Sequence, residues 1–506
     1  KALTAYFQTR LVQMCEFRIG KRLMEGYLNK SYSWFLNRRS ADLGTTILSE
    51  VETAISGGLT PLMNLIAQSA VALALLVLLL VVDPVLAFSV GATLGLAYSF
   101  IFAVTSGWIK RIGQERFLAN KGRFNVVNEA FGAVKEVKIG GLEQIYAQRF
   151  SKPAKIFAQG QAASQVTAQV PRFALEAVAF GGMVLVILYL MAKSGKFVEV
   201  LPIIALYAYA GYRLLPALQQ IYGALTVLRF SSAGVDALYG ELKSLENVDD
   251  ERAQNLQLPP LPFSHTIKLD QISYRYPKAE TCVLKYIDLC IPAYSKIGFI
   301  GHTGSGKTTT VDLILGLIEP LDGHLKVDGQ SITAANRRQW QRNIGYVPQH
   351  IFLADDSVAA NIAFGVKPQD IDQQAVELAA RIANMHDFVC NELPQGYDTT
   401  VGERGVRLSG GQRQRIGIAR ALYHKPKVLV LDEATSALDN RTELAVMEAV
   451  NNLGREITII LIAHRLSTLQ QCDKIYLLER GEIKGSGTYA ELSSSSHEFA
   501  EMAGNS

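Results

Sequence analysis

Apolar side chains run almost unbroken from Leu65 to Val82, pause at Asp83-Pro84, and resume without a charge from Val85 to Thr105. Each stretch approaches the roughly 20 residues that cross a bilayer core, so together they predict a transmembrane hairpin. A second hairpin joins Phe173–Ala192 to a span from Phe197 to about Ile221 across the polar turn Lys193-Ser194-Gly195-Lys196. Buried helices of a soluble domain share this composition, but apolar surfaces of such length would be hard to cover inside one domain. Between the hairpins Lys110, Arg111, Arg116, Lys121, Arg123, Lys135, Lys138, Arg149, Lys152 and Lys155 outnumber the acids, which places that segment on the cytoplasmic side. Lys193 and Lys196 fall on the opposite side and pull weakly the other way.

The pattern changes at both ends of this region. Lys1 to Lys30 reads as a helix with charges spread around it, too polar for a lipid-facing span along its whole length. Ser31 to Gly44 breaks that helix at the aromatic pair Trp34-Phe35, and a new helix is predicted from near Asp42. A further short amphipathic element is predicted within Val134 to Phe150, after the glycine pair Gly140-Gly141. From Glu246 to Phe263 the chain turns acidic and then proline-rich, which marks a linker. Beyond it short β-rich runs such as Lys296–Ile300 and Val428–Leu431 alternate with helical patterns, as in an α/β domain. The predicted division is a membrane domain over 1–245, a linker over 246–264 and an α/β domain over 265–506.

Composition sharpens this only a little. The 49% hydrophobic content averages two unlike halves, and the net charge of +4 is explained by membrane topology, with no basic-aromatic patch to suggest nucleic acid as a partner. The five cysteines show no metal-ligand spacing and are expected to be reduced. The chain starts at Lys1 rather than Met, so its natural beginning is expected to be missing.

Chemistry enters with GHTGSGKTT, Gly301 to Thr309, which follows a predicted strand and opens a helix. Gly301, Thr303, Gly304, Ser305, Gly306, Lys307, Thr308 and Thr309 fit a phosphate loop, in which consecutive backbone N–H groups and a helix N-terminus face the phosphates of ATP. Lys307 adds a positive charge and Thr308 a hydroxyl for Mg²⁺. LSGGQ, Leu408 to Gln412, and VLVLDEATSALD, Val428 to Asp439, follow in order. With these three segments the C-terminal half resembles ATP-binding cassette proteins from end to end.

The resemblance implies a set of roles. Asp432 and Thr308 would bind or orient Mg²⁺, joined by Gln349 of GYVPQ. Glu433 would act as general base toward the attacking water, and His464 of LIAHRLS would contact the γ-phosphate. Tyr276 of YRYP would stack on adenine, with Tyr274 as the competing choice. Ser409, Gly410, Gly411 and Gln412 would hold the γ-phosphate of ATP bound to a second copy, and Asp439 would lie at that interface. One chain carries one cassette, so a homodimer is implied. The two interhelical breaks, at Ser31 to Gly44 and within Val134 to Phe150, would be coupling helices that rest on the ATPase, and Thr399 to Gly405 the loop that meets them.

Membrane spans ahead of the cassette resemble exporters, and VPRFALEAVAFGG with YRLLPALQQIY resembles bacterial lipid-linked oligosaccharide flippases of the inner membrane. The alternative within the family is a multidrug or peptide exporter. Glu176 lies 17 residues before Lys193 and Arg213 lies 17 residues after Lys196, so both reach equal depth in their hairpin. An unpaired charge there costs on the order of 3 kcal/mol, so the two are expected to meet. They would either fix helix register or release Arg213 to an anionic lipid headgroup. Half-transporters of this family carry six spans, whereas this sequence shows four and part of a fifth. The expected fold is multidomain: an all-α transmembrane helical bundle of exporter type, N-terminally incomplete, plus an α/β P-loop nucleotide-binding domain with a helical subdomain.

Overall fold

The computed structural model describes residues 2–194, 197–245, 258–402, 405–433, 447–448, 456–462, 469–495 and 499, and over much of 172–207 the backbone alone. Two compact units emerge, Lys1–Lys30 with Arg38–Asp249 and Ser31–Asn37 with Asp250–Ser506.

The first unit is helical. Helix α1 spans Ala2–Leu28, and the short α2, Tyr32–Phe35, belongs by packing to the second unit. Helix α3, Ser40–Thr45, continues through a π-helical turn, Thr46–Glu50, into α4, Val51–Val82. Asp83 takes the extended conformation (φ −147°, ψ 99°) that a following proline favours, and Pro84 opens α5, Pro84–Gly132. Then come α6 (Val134–Ile139), α7 (Glu143–Ser194) and α8 (Phe197–Leu245). At 49 and 52 residues, α5 and α7 reach about 75 Å at 1.5 Å per residue, more than twice a bilayer core, so both extend well past the lipid. Among the described residues, Ser40–Val82 and Ala87–Gly132 are helical stretches long and apolar enough to cross a membrane. Both halves of the first predicted hairpin therefore stand, with the break where Asp83-Pro84 put it.

One local expectation is corrected. The short element near Gly140-Gly141 forms before the glycines, as α6, and not after them. Gly141 adopts φ +59°, its N–H donates to the Lys138 carbonyl, and the Leu142 N–H reaches back to the Val137 carbonyl at 2.9 Å. This is the closing pattern of a helix C-terminus, in which a left-handed glycine satisfies the last carbonyls. The glycine pair closes the short helix, and the stretch after it opens the long α7 at Glu143.

A polar cluster is buried where α4 begins. Glu50, 2% exposed, lies in the π turn and meets Arg116 at 3.7 Å and the Asn120 side-chain amide at 2.7 Å, both on α5. The Arg116 guanidinium sits 5.6 Å from each of the Phe157 and Phe230 rings, on α7 and α8. A hydrogen bond to a buried carboxylate is worth about 1.5–3 kcal/mol, so Asn120→Ala is expected to destabilise the helical unit by about 2 kcal/mol. Thermal unfolding of the purified protein in detergent would register this as a lower Tm, and an unchanged Tm would show that the bond contributes nothing.

The second unit is the predicted α/β domain. An antiparallel sheet in the order β2-β1-β4-β5 contains β1 (Thr266–Tyr274), β2 (Leu284–Pro292), β4 (Asp322–Val327) and β5 (Gln330–Ser331). A six-stranded sheet in the order β10-β9-β3-β8-β7-β6 holds β3 (Lys296–Ile300), β6 (Ile344–Val347), β7 (Val428–Asp432), β8 (Thr458–Ile462), β9 (Lys474–Glu479) and β10 (Glu482–Gly487). Its β6, β7, β8, β3 and β9 are parallel, and β3, β7 and β8 are buried along their whole length, as continuous apolar runs covered on both faces require. Helix α9, Lys307–Ile314, follows β3, and α10, Arg337–Gln341, buries Trp340, whose indole N–H donates to the Ile314 carbonyl at 2.7 Å. A helical insertion follows with α11 (Val358–Ile362), α12 (Gln373–Ile382), α13 (His386–Glu392) and α14 (Gly410–Tyr423), and α15 (Tyr489–Ser495) comes near the end.

Candidate active site

The carboxyl ends of parallel strands are where an α/β sheet presents ligands, and the glycine loop after β3 and the acidic pair at the end of β7 both lie there, with β8 between them. β3 ends at Ile300 and the chain turns through residues 301–306 into α9. Gly301 (φ +152°) lies so close to the Leu478 carbonyl that a side chain would collide with it, while Gly304 and Gly306 also take positive φ, of +81° and +106°. Ser305 is buried with a hydroxyl that has no protein partner, and Thr308 is exposed at the start of α9. Thr309 instead faces inward, its hydroxyl 3.1 Å from that of Tyr276.

The Lys307 ammonium, only 6% exposed, donates to the carbonyls of Gly301 at 2.6 Å and His302 at 3.1 Å. Burial lowers its pKa, and the negative charges of Glu433 and Asp432 pull it back up. Such a cation is arranged for an anion brought to the loop. The orphaned Ser305 hydroxyl, the glycine backbone and the buried ammonium together fit a polyphosphate.

Across the sheet, β7 ends at the buried Asp432. Glu433 follows in the left-handed region at φ +51°, its N–H bonded to the Ile462 carbonyl, so its side chain leaves the line of the strand. The Gln349 amide donates to the Glu433 carboxylate at 2.6 Å, joining two positions that the sequence separates by 84 residues. That bond uses the nitrogen of Gln349 and leaves its carbonyl oxygen for another ligand. Thr308, Asp432 and Gln349 thus offer hard oxygens, the donor type Mg²⁺ takes.

Sequence reasoning missed two neighbours of this pair. Asp312 on α9 is 8% exposed, and burial, reinforced by the Asp432 charge, pushes its carboxyl up to about 6. Tyr346 on β6 donates its hydroxyl to Asp432 at 3.4 Å. Its position three residues ahead of Gln349, on the strand paired with β7, was the available signal. Burial also raises the Tyr32 phenol of α2, with the Asp312 and Tyr276 charges adding to it.

Between the competing aromatics, Tyr274 is a core residue, 5% exposed, whereas Tyr276 lies past the end of β1, partly exposed, its ring edge-on to Tyr274 at 5.1 Å. Ser409 caps α14: its hydroxyl accepts from the Gln412 N–H at 3.2 Å, and the Gln412 side chain accepts from the Ser409 N–H at 2.7 Å. This reciprocal cap leaves the Gly410 and Gly411 N–H groups at the helix entrance. His464 and Asp439 lie outside the described residues, as do residues 403–404 of the loop expected to meet the coupling helices. The Glu176 side chain is likewise outside them, so its pairing with Arg213 has no geometry here. Arg213 itself is exposed on α8, its guanidinium 6.0 Å from the Tyr209 ring.

Comparison with known proteins covers nearly the whole chain. Residues 2–212 match the family model described as ABC transporter transmembrane region, and residues 284–436 the model described as ABC transporter. An ATP-dependent lipid A-core flippase of Cupriavidus metallidurans is 29% identical over 498 residues, spanning 97% of this chain and 81% of that protein. ABC transporter B family member 29, chloroplastic, of Arabidopsis thaliana is 30% identical over 447 residues, 88% of this chain and 69% of that protein. The solved structure of a bacterial Atm1-family ABC exporter with ATP bound superposes over 100% of this chain and 88% of its own with a TM-score of 0.85 at 24% identity, a likeness of fold.

Proposed function

The chain belongs to the ABC transporter family, with transmembrane and ATP-binding domains fused and ATP hydrolysis coupled to transport, and from that premise we propose that it is a flippase for lipid-linked or similarly amphipathic anionic substrates. The observation that carries this reading is the union in one chain of a helical unit, with stretches long and apolar enough to cross a membrane, and a unit that holds the 301–306 loop, Lys307 and the Gln349–Glu433 pair. The lipid reading is supported by the flippase similarity along 97% of the chain, transport half included, and by the exposed Arg213 beside Tyr209 and Tyr212. Among the amphipathic substrates this admits, we favour a lipid-linked oligosaccharide.

In the proposed reaction the loop 301–306 and Lys307 cradle the phosphates of ATP, with Tyr276 against the adenine. Phosphoryl transfer asks for positioning and charge neutralisation more than covalent help. Thr308, Asp432 and Gln349 would hold Mg²⁺, which when bound neutralises charge on the β- and γ-phosphates. Glu433 accepts the proton of the attacking water, and Gln349 fixes the carboxylate that does so. Ser409, Gly410, Gly411 and Gln412 of a second copy would hold the γ-phosphate, which makes the working unit a homodimer; Asp439 would lie at that interface, and His464 would contact the γ-phosphate. The protein is placed in the bacterial inner membrane with its nucleotide-binding domain in the cytoplasm.

The test is ATPase activity of the full chain in liposomes, comparing polyprenyl-pyrophosphate glycans and lipid A-type glycolipids with hydrophobic drugs and peptides. Stimulation is expected from the anionic lipids, and glycans on a polyprenyl carrier are expected to stimulate most. Arg213→Ala is expected to abolish most of that stimulation and keep basal turnover. Stimulation by drugs or peptides alone would replace this reading with a multidrug or peptide exporter, and equal loss of basal and stimulated rates in the Arg213 variant would leave that residue a structural role.

A further inference from the structure

We propose that Tyr346 is a positioning residue for the metal site: its hydroxyl holds the Asp432 carboxylate in the orientation that receives Mg²⁺. The inference rests on the reading of Asp432 as a metal ligand and goes beyond it by naming what orients that ligand.

The sheet itself places the two side chains. β6 and β7 run parallel with Tyr346 paired to Val430 and Val347 to Leu431. Side chains alternate between faces along a strand, so Val430 and Asp432 share a face, and Tyr346 projects from that same face one step short of Asp432. The tyrosine hydroxyl then reaches one carboxylate oxygen at 3.4 Å. A carboxylate accepts at both oxygens, so a donor fixed on one directs the other. Asp432 itself is 6% exposed, so the donor acts on a carboxylate largely shielded from solvent.

Tyr346 also connects the site outward. It lies three residues ahead of Gln349, whose amide reaches Glu433, so one strand end delivers a donor to each member of the acidic pair.

Partners that orient metal ligands typically change metal affinity by about 10–100-fold when removed, and the length of this bond argues for the lower end, about tenfold. Tyr346→Phe deletes the hydroxyl alone. In the full chain, the Mg²⁺ concentration for half-maximal ATPase is expected to rise about tenfold while turnover at saturating Mg²⁺ stays within about twofold. Mn²⁺ binding to the ADP-loaded protein, followed by electron paramagnetic resonance, is expected to weaken by the same factor. ADP affinity measured without metal stays unchanged. Asp432→Asn, run alongside, separates the two layers of the argument. If Asp432→Asn weakens Mn²⁺ binding and Tyr346→Phe does not, the role of Tyr346 is overturned and the metal-ligand reading stands. If neither weakens it, the metal-ligand reading falls and this proposal with it. A lower Tm for Tyr346→Phe with an unmoved metal midpoint would make the tyrosine a packing residue and overturn the proposal as well.

Discussion

Glu433→Gln is expected to lower ATP turnover by about 10²–10⁴-fold while ATP affinity stays within about twofold, the range a positioned general base contributes. The substitution is close to a pure removal of basicity. The left-handed backbone at Glu433, φ +51°, is set by the strand end and by the bond from its N–H to the Ile462 carbonyl, neither of which involves the side chain. The Gln349 amide, now 2.6 Å from the carboxylate, can donate equally well to the carbonyl oxygen of a new amide. Geometry is kept and the proton acceptor is lost. Lys307 supplies an internal check, because the charge of Glu433 helps hold its ammonium protonated, with that of Asp432 doing the same. Asp432 remains in the variant, so phosphate binding survives. Single-turnover hydrolysis set beside equilibrium nucleotide binding would resolve the two. Turnover within about threefold of the parent would remove Glu433 from the role of base and leave metal-activated water without a protein acceptor.

How far these conclusions could be read before the structure depends on how local their causes are. The phosphate loop is local: glycines at 301, 304 and 306 are demanded by backbone conformations of +152°, +81° and +106° that few other residues adopt, so the motif and its geometry are nearly the same fact. β7 is local too, since five buried apolar-run positions ending in an acid leave few alternatives. The Asp83-Pro84 break follows from the constraint a proline puts on the residue before it. By contrast, the α6 boundary was placed on the wrong side of Gly140-Gly141, because a glycine pair is compatible with either end of a helix and only the Leu142 to Val137 hydrogen bond tells which. Tyr346 and Asp312 escaped notice for a different reason: each meets Asp432 through sheet register or helix packing across roughly a hundred residues, for which no short pattern exists. The Glu50, Arg116 and Asn120 cluster is of the same kind. Its members look like ordinary charges on cytoplasmic helix extensions until α4 and α5 are brought together. The grouping of Ser31–Asn37 with the nucleotide unit lies between these cases: the aromatic pair signalled a break, and only packing groups the segment with the second unit.

Lys307→Ala is expected to weaken ATP binding by about 10²–10³-fold, since truncating one partner of a buried charge pair costs about 2–5 kcal/mol. The native ammonium is held by the Gly301 and His302 carbonyls at 2.6 and 3.1 Å, inside a loop whose backbone cannot relax because Gly301 is pressed against the Leu478 carbonyl. Alanine removes the positive charge facing the phosphates and at the same time strips those carbonyls of their donor. Asp432 and Glu433, whose charges now act on the ammonium, would instead repel the incoming phosphates. Lys307→Arg tests whether charge alone is enough. Its planar fork cannot donate to both carbonyls from the volume of a single ammonium, so it is expected to recover less than about tenfold of the lost affinity. Nucleotide-induced thermal stabilisation offers a readout that needs no turnover. A ligand at about 100 times its Kd stabilises by about 2.7 kcal/mol, so a concentration that raises the parent Tm should leave that of Lys307→Ala almost unmoved. The Tm values without nucleotide are expected to agree, because the ammonium's carbonyl contacts only offset the cost of its burial. Full nucleotide-induced stabilisation in Lys307→Ala would mean that the glycine backbone and the α9 entrance hold ATP without the lysine, and the electrostatic reading of this loop would have to be given up.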